Sequence, residues 1–328
     1  MSTHAPHIEI LLATYNGERY LREQIDSIFA QDYPTLRILA SDDGSSDRTL
    51  EILSEYADQF PSKIRLMEKQ SPLGSAKANY LRLMKEATAG YICFADQDDV
   101  WLPNKVSASM RAMEDLEAQH GTSQPLLVFT DLRVVDEQLK TINRSMWREL
   151  DIDPRSVHRL KQLIGRSVVT GCTAMINRPM LELARQMPEE ATMHDRWIGL
   201  LAAALGAAAI VPEQTVLYRQ HDSNVVGAVR PDGSAAGIAY RAARRDGRRA
   251  ERLRSERQAE ALLKLHSSIM PEQSVVLLRA YLRSGRSKSA LQRVATALQY
   301  GFSRGSLLKA LLTLFDLALS RLDEHSEG

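Results

Sequence analysis

Through the first hundred residues, short apolar runs alternate with segments of helical period, and this alternation constrains the fold more than any other feature. Ile8–Ala13, Leu36–Ala40, Ile64–Glu68 and Tyr91–Ala95 are apolar runs of strand length. Between the first two, Tyr20, Leu21, Ile25, Ile28 and Phe29 recur at helical spacing. Behind Asp47, whose side chain suits a helix cap, Leu50, Leu53, Tyr56, Ala57 and Phe60 share one face, and Ala76–Ala87 forms a third helical segment. The order β-α-β-α-β-α-β predicts an α/β protein built on a mainly parallel sheet with helices packed on both faces. Leu126–Thr130 predicts another strand, and Ile198–Val211 a buried helix running into a strand.

Beyond Val226 the character changes. Gly227–Gly237 contains Gly, Pro and Ser and looks like a linker; an Arg-dense segment and amphipathic helices ending near Leu322 follow. The expected division is therefore an α/β domain over 1–226 and a linker with a helical extension over 227–328. A chain of 328 residues is long enough for that plan. Lys and Arg total 42 against 41 for Asp and Glu, so net charge selects no partner and gives no reason to expect nucleic acid. The two cysteines, Cys93 and Cys172, sit in or beside apolar runs, which suits buried thiols in a reducing cytoplasm rather than a disulfide framework. Neither a signal-peptide pattern nor an apolar run of membrane-spanning length is visible.

Polar chemistry gathers where the predicted strands end, which is where open α/β sheets bind ligands. The first strand leads into Thr14-Tyr15-Asn16-Gly17-Glu18, and the second into Asp42-Asp43-Gly44-Ser45-Ser46-Asp47. Asp42 and Asp43 exceed what capping requires, and carboxylates in such a cup can accept hydrogen bonds from a base N–H or ribose hydroxyls. The fourth strand ends in Asp96-Gln97-Asp98-Asp99-Val100-Trp101. Three carboxylates within four positions repel one another unless a cation compensates. Such a cluster suits Mg²⁺ or Mn²⁺, which take oxygen ligands and leave positions open for substrate phosphates. Acidic surface loops are also common, but the apolar strand before this one and Trp101-Leu102-Pro103 after it argue against a freely solvated run.

Taken together, "ATYNGERYLREQIDSIFAQDYP", "SDDGSSDRT" and "ADQDDVWLPNKV" resemble the inverting family 2 glycosyltransferases of GT-A fold, over roughly the first 225 residues. "TGCTAMINR", "MHDRW" and "VLYRQHDSNVVGA" resemble the bacterial rhamnosyltransferase-like branch, which builds cell-surface polysaccharides from dTDP-rhamnose. The resemblance implies donor-binding roles for Thr14, Tyr15, Asn16, Glu18, Asp42, Asp43, Gly74, Lys77, Asp96 and Gly171. It implies metal contact for Asp98 and for His221, a catalytic base in Asp195, and a glycan or lipid-linked glycan as acceptor. Trp147, Arg196 and Trp197 are candidates for the acceptor side. Arg196-Trp197 departs from the branch, which often carries two aromatics there. Asp195 also suits the N-cap of a helix from Arg196 to Leu205, a role compatible with catalysis.

Other classes fit less well. A sugar nucleotidyltransferase would show a Gly-rich, Arg-containing phosphate loop after the first strand, and a dinucleotide-dependent dehydrogenase would show G-x-G-x-x-G there. A non-catalytic nucleotide-sugar-binding protein would not need Asp195 beside an intact Asp-x-Asp. In the tail, the Arg residues from Arg241 to Arg257 and the apolar face Leu307 to Leu319 suit three roles: peripheral contact with the inner face of a membrane, packing on the catalytic part, or a homodimer contact.

Overall fold

The computed structural model describes residues 5–68, 71–221, 235–287 and 289–300, with the backbone alone for 235–249 and for Ala290. Four strands and three helices alternate first: β1 (Ile8–Thr14), α1 (Leu21–Phe29), β2 (Leu36–Asp42), α2 (Thr49–Gln59), β3 (Ile64–Leu66), α3 (Ala76–Glu86) and β4 (Tyr91–Asp96). Next come β5 (Val100–Trp101), α4 (Lys105–His120), β6 (Leu126–Val135), β7 (Thr141–Asn143), α5 (Met146–Glu149) and α6 (Leu160–Leu163). The sheet is completed by β8 (Ala174–Asn177) and β9 (Ala207–Arg219), with α7 (Arg178–Ala184) and α8 (His194–Leu205) between them. The described residues end in α9 (Ala235–His266), α10 (Glu272–Arg286) and α11 (Ala290–Tyr300).

The strand order is β3-β2-β1-β4-β8-β6-β9-β5, with β7 added on β6. The helical crossovers make β3, β2, β1 and β4 parallel, as the alternation predicts. The short strand β8 runs antiparallel between β4 and β6, and so joins the first half of the sheet to the second. No periodicity announces that insertion, because four residues are too few to show one.

Residues of β1 alternate between two cores, as the two-residue period of a strand requires. Ile8, Ile10 and Leu12 face a cluster closed by α1, α2 and α4 through Leu21, Ile25, Ile52, Val106 and Met113. Leu11 faces the other cluster, closed by α3, α7 and α8 through Tyr80, Leu83, Leu181, Trp197 and Leu201. That second cluster also takes in Ala259 and Leu262 of α9 and Leu278 and Leu282 of α10. Helices α9 and α10 thus share the core of the α/β domain, the arrangement the packing alternative expects of them. The stretch 222–234, the side chains of Arg241, Arg244, Arg245, Arg248 and Arg249, and the apolar run Leu307 to Leu319 lie outside the described residues. Among the described residues no helix is long and apolar enough to cross a membrane. Cys93 and Cys172 are free thiols and both are buried.

Candidate active site

Parallel pairing places Thr14 beside Asp42 and Ala13 beside Asp96, so three strand ends open onto one edge. The two loops after β1 and β2 are joined by hydrogen bonds. The Asn16 amide donates to Ser45 Oγ at 2.8 Å, and Asn16 Oδ1 accepts from the Ser46 amide at 2.9 Å. The Glu18 amide donates to Asp47 and its carboxylate accepts from the Arg48 amide. Asn16 adopts φ 48, a left-handed conformation that a short polar side chain tolerates. Asp42 accepts from Thr14 Oγ1 at 3.0 Å and from the amides of Gly44 and Ser45. Asp43 is 5% exposed, and its carboxylate accepts from the Leu73 amide at 2.6 Å, which draws the loop carrying Gly74 towards β2. Both carboxylates therefore order the cup, and Tyr15 stands out from it at 59% exposure.

The acidic loop after β4 is anchored from three directions. Gln97 makes a two-way clamp on the backbone of Tyr15, accepting from its amide at 2.8 Å and donating to its carbonyl at 2.9 Å. A Cβ at Gly17 would lie 2.3 Å from the Gln97 side chain, so this clamp needs glycine there. The Tyr80 hydroxyl lies 2.7 Å from Asp96 Oδ1. Arg219, at the end of β9, donates Nε to the Asp98 carbonyl at 2.8 Å, donates its amide to Asp99, and pairs with Glu23. Burial and the Asp98 charge push Asp96 up to about 7. Burial, with Asp98 and Asp96 adding to it, holds Asp99 well above the usual carboxylate range.

That crowding is the condition a divalent cation relieves. Asp98 Oδ2 and His221 Nε2 stand 2.9 Å apart. In an octahedron with ligand bonds of about 2.0–2.1 Å, adjacent donors are about 3 Å apart, so this pair suits two neighbouring positions. A carboxylate and an imidazole, with positions left open for phosphate oxygens, fit Mg²⁺ or Mn²⁺. Asp96, Asp99 and Cys172 also bring ligand atoms within 4.8 Å of one another, but Asp99 and Cys172 are fully buried. Burial pushes the Cys172 thiol well above its ordinary value, which makes it a poor nucleophile.

Asp195 is not the N-cap expected of it: α8 starts two residues earlier than expected, at His194 with Met193 as N-cap, and Asp195 sits in its first turn. Its carboxylate accepts from the Gly171 amide at 3.2 Å and from its neighbour's amide, Arg196, at 2.6 Å. Burial pushes it up to about 6 in spite of those donors. The preceding His194 packs on Tyr80 and Phe94, with ring centroids at 3.9 and 4.9 Å, and burial brings it down to about 3. Tyr80 therefore links the two parts of the site, bonding Asp96 through its hydroxyl and packing on His194 through its ring. A Cβ at Gly171 would lie 2.6 Å from His194 Nε2, so glycine is what lets the 171 backbone reach Asp195.

Thr14, Asn16, Glu18, Asp42, Asp43, Asp96, Asp98, His221, Gly171 and Asp195 thus come together at one sheet edge, with Tyr15 projecting from it. Gly74 is exposed with φ 72. Lys77 turns to the segment before α8, donating to the carbonyls of Glu189 and Ala191 at 2.7 and 3.0 Å. Trp147 is half-buried with its ring edge-on to Phe129 at 5.7 Å, and its amide donates to Asp131. The expectation that Arg196 and Trp197 face the acceptor needs correcting. Trp197 is fully buried in the core beneath α8, and Arg196, 7% exposed, turns inward to Glu251 and Ser255 of α9. Gln97, Tyr80, Arg219, Glu23 and His194 were not singled out by motif. Gln97 lies inside the Asp-x-Asp, and Glu23, His194 and Arg219 lie inside the quoted segments, so all four could have been. Their partners stand far along the chain, Glu23 pairing with Arg219 across 196 positions, and Tyr80, in no quoted segment, meets Asp96 across 16.

The model of glycosyl transferase family 2 matches residues 9–183, more than half of the 328-residue chain. The dTDP-rhamnosyl transferase RfbG of Shigella flexneri is 28% identical over 228 residues, which are 66% of this chain and 74% of that protein. An uncharacterized glycosyltransferase of Rickettsia typhi is 28% identical over 181 residues, 53% of this chain and 51% of its own length, so the match spans about half of that relative. Two solved structures share the fold. The S. aureus TarS fragment 1–349 in complex with UDP-GlcNAc aligns at TM-score 0.51 and 16% identity, over 96% of this chain and 85% of that one. The mannosyltransferase PcManGT from Pyrobaculum calidifontis, in complex with GDP-Man and Mn²⁺, aligns at TM-score 0.52 and 17% identity, over 97% and 81%. The sheet with its polar carboxyl edge is therefore a GT-A fold, and the chain belongs to glycosyl transferase family 2.

Proposed function

We propose that the protein is an inverting, divalent-metal-dependent rhamnosyltransferase that moves rhamnose from dTDP-rhamnose to a hydroxyl of a glycan or lipid-linked glycan. The observation that carries this reading is a carboxylate, Asp195, held by the amides of Gly171 and Arg196 on one sheet edge with the Asp96–Asp98 loop. The rhamnosyl part rests on the likeness to RfbG. In this reading residues 1–226 bind donor and acceptor, and the loops after β1 and β2 receive the nucleoside, with Asp42 and Asp43 beside base and ribose.

The chemistry follows from the charges. The acceptor oxygen attacks the anomeric carbon as the bond from that carbon to the diphosphate oxygen breaks. The electron pair leaves with the nucleoside diphosphate, and a single displacement inverts the anomeric centre. Asp195 takes the acceptor's proton during attack, an assistance worth typically about 10²–10⁴-fold. Its pKa near 6 leaves it ionised at neutral pH and more basic than an ordinary aspartate. Asp98, with His221, would hold a divalent ion, which when bound offsets charge on the departing diphosphate. Gly171 and the start of α8 keep the base oriented; Gln97 and Arg219 keep the acidic loop beside the nucleotide cup.

The test is a donor panel. Purified protein is incubated with dTDP-rhamnose, UDP-glucose, UDP-N-acetylglucosamine and GDP-mannose, with Mn²⁺ or Mg²⁺, and nucleoside diphosphate release is measured. Turnover of dTDP-rhamnose ahead of the others, lost on adding a chelator, is expected. Turnover of a UDP-hexose with none of dTDP-rhamnose overturns the donor and leaves the transferase reading in place.

A further inference from the structure

The helix that carries the proposed base is held from behind by a segment more than fifty residues further along the chain. Arg196, next to Asp195, places its guanidinium in a buried notch. There Nη1 pairs with Glu251, Nη2 donates to Ser255 Oγ at 2.8 Å, and Nη2 also reaches the Ile164 carbonyl at 3.3 Å. Ser255 Oγ donates in turn to the Glu251 carbonyl at 2.8 Å, so its acceptor side is turned to Arg196. One turn on, Gln258, fully buried, accepts from the Thr192 amide at 2.9 Å. Thr192 and Arg196 flank Asp195 on either side, and both are bound to the same face of α9. Further along, Ala259 and Leu262 pack in the core cluster with Trp197, Ile198 and Leu201. Ser274, opening α10, donates to the carbonyl of Ala204 near the end of α8 at 3.3 Å.

From this we infer that Glu251, Ser255 and Gln258 of α9 are positioning residues for Asp195, setting where its carboxylate stands and hence the rate of the transfer step. The inference rests on Asp195 being the base. Three features support a positioning role rather than simple packing. The contacts to Arg196 and Thr192 are polar and at least partly buried, with Arg196, Ser255 and Gln258 themselves buried, where a lost partner is costly and geometry is strict. They bracket the reactive residue at −3 and +1. And among the described residues Asp195's own side chain is held by backbone amides alone, so its position follows the backbone that α9 fixes. None of the three α9 residues hydrogen-bonds to the nucleotide loops, so donor binding has no reason to respond.

The experiment is a double-mutant cycle in the full chain with the donor that turns over. Gln258→Leu keeps the volume and removes the acceptor for the Thr192 amide; Ser255→Ala is the milder companion. Each is made alone and in an Asp195→Asn background, with kcat, donor KM and the thermal midpoint recorded. Displacements well under an ångström in a reactive geometry are expected to cost about tenfold in kcat for Gln258→Leu, with donor KM within about twofold of wild type. In the Asp195→Asn background the same substitution should cost nothing further, because the group it positions is gone. An unchanged kcat for both variants overturns the proposal, as does an equal loss in both backgrounds or a loss confined to donor KM. A near-normal rate for Asp195→Asn alone removes the base assignment and this proposal with it, and is told apart by that single variant.

Discussion

The two sides of the site are ordered in opposite ways. On the nucleotide side, the loops after β1, β2 and β4 hold one another: Asn16 to Ser45 and Ser46, Glu18 to Arg48, Gln97 to Tyr15. Their partners are short loops at neighbouring strand ends, and much of that side remains open. On the Asp195 side the order comes from depth. His194 and Trp197 are buried, Arg196 nearly so, and the fixing contacts come from Gly171 and from α9. Loops that satisfy one another can yield to a ligand piece by piece, whereas a buried helix start moves as a unit or not at all. A donor-binding surface benefits from the first property and a general base from the second.

The sharpest way to break this contrast is a pair of substitutions. Asp98→Ala removes one of two groups 2.9 Å apart beside the nucleotide cup, and is expected to abolish both metal-dependent donor binding and turnover, read by calorimetry and diphosphate release. Asp195→Asn, similar in size but unable to accept a proton, should keep donor affinity and lose roughly 10²-fold or more in kcat. If Asp195→Asn loses donor affinity at a near-normal rate, the two sides are not functionally distinct.

Two glycines probe the same contrast at smaller scale. Gly171→Ala drives a methyl to 2.6 Å from His194, which Tyr80 and Phe94 hold in place. The expected outcome is a loss of about 1–3 kcal/mol in stability from overpacking, with a fall in kcat as the Gly171–Asp195 contact shifts. Gly74→Ala meets nothing within 4 Å, so its cost is the left-handed φ of +72 alone, about 1–2 kcal/mol. That change should act on donor KM rather than kcat. Denaturant titrations beside steady-state kinetics measure both, and similar kinetic signatures for the two would erase the distinction.

The last handle on the contrast is the dependence on pH. Asp195 must be ionised to act, so kcat should rise through a limb near pH 6 that Asp195→Asn lacks. Its pKa is raised on folding, from 3.8 to about 6, so between those values the folded chain holds more protons than the unfolded one. This group's contribution to stability therefore falls as pH rises from about 4 to 6, the reverse of a salt-bridged aspartate. Urea melts across that window should show the wild type losing stability relative to Asp195→Asn; a parallel course would show that burial does not tax the carboxylate.

The two sides are legible in the sequence to unequal degrees, for a physical reason. Thr14, Asn16, Asp42, Asp96 and Asp98 lie at the ends of strands whose periodicity is plain, so their meeting follows from the parallel register. Asp98 and His221, 123 positions apart, were paired only through the resemblance, and they do meet. Arg196 and Trp197 were candidates for the acceptor side through the resemblance, as the pair standing where the branch often carries two aromatics. Their inward course depends on α9, whose Glu251 and Ser255 carry no motif. The strand β8 escaped for a similar reason, since its place between β4 and β6 is decided by pairing partners and not by its own four residues.

The shared core of α8 and α9 bears on how such chains can be recombined. A chimera joining this α/β domain to the tail of another family member would bury the Arg196 guanidinium without Glu251 and leave the Thr192 amide facing whatever stands at position 258. A tail exchanged on the strength of the boundary near 226 would thus import a mismatch directly behind Asp195. The interchangeable unit begins after His221 only if the incoming helix brings a carboxylate, a hydroxyl and an amide carbonyl at the spacing of 251, 255 and 258. Inheritance of α8 and of the first C-terminal helix should accordingly be joint, and a swap that respects the pairing should transfer a tail intact where a swap at the visible seam does not.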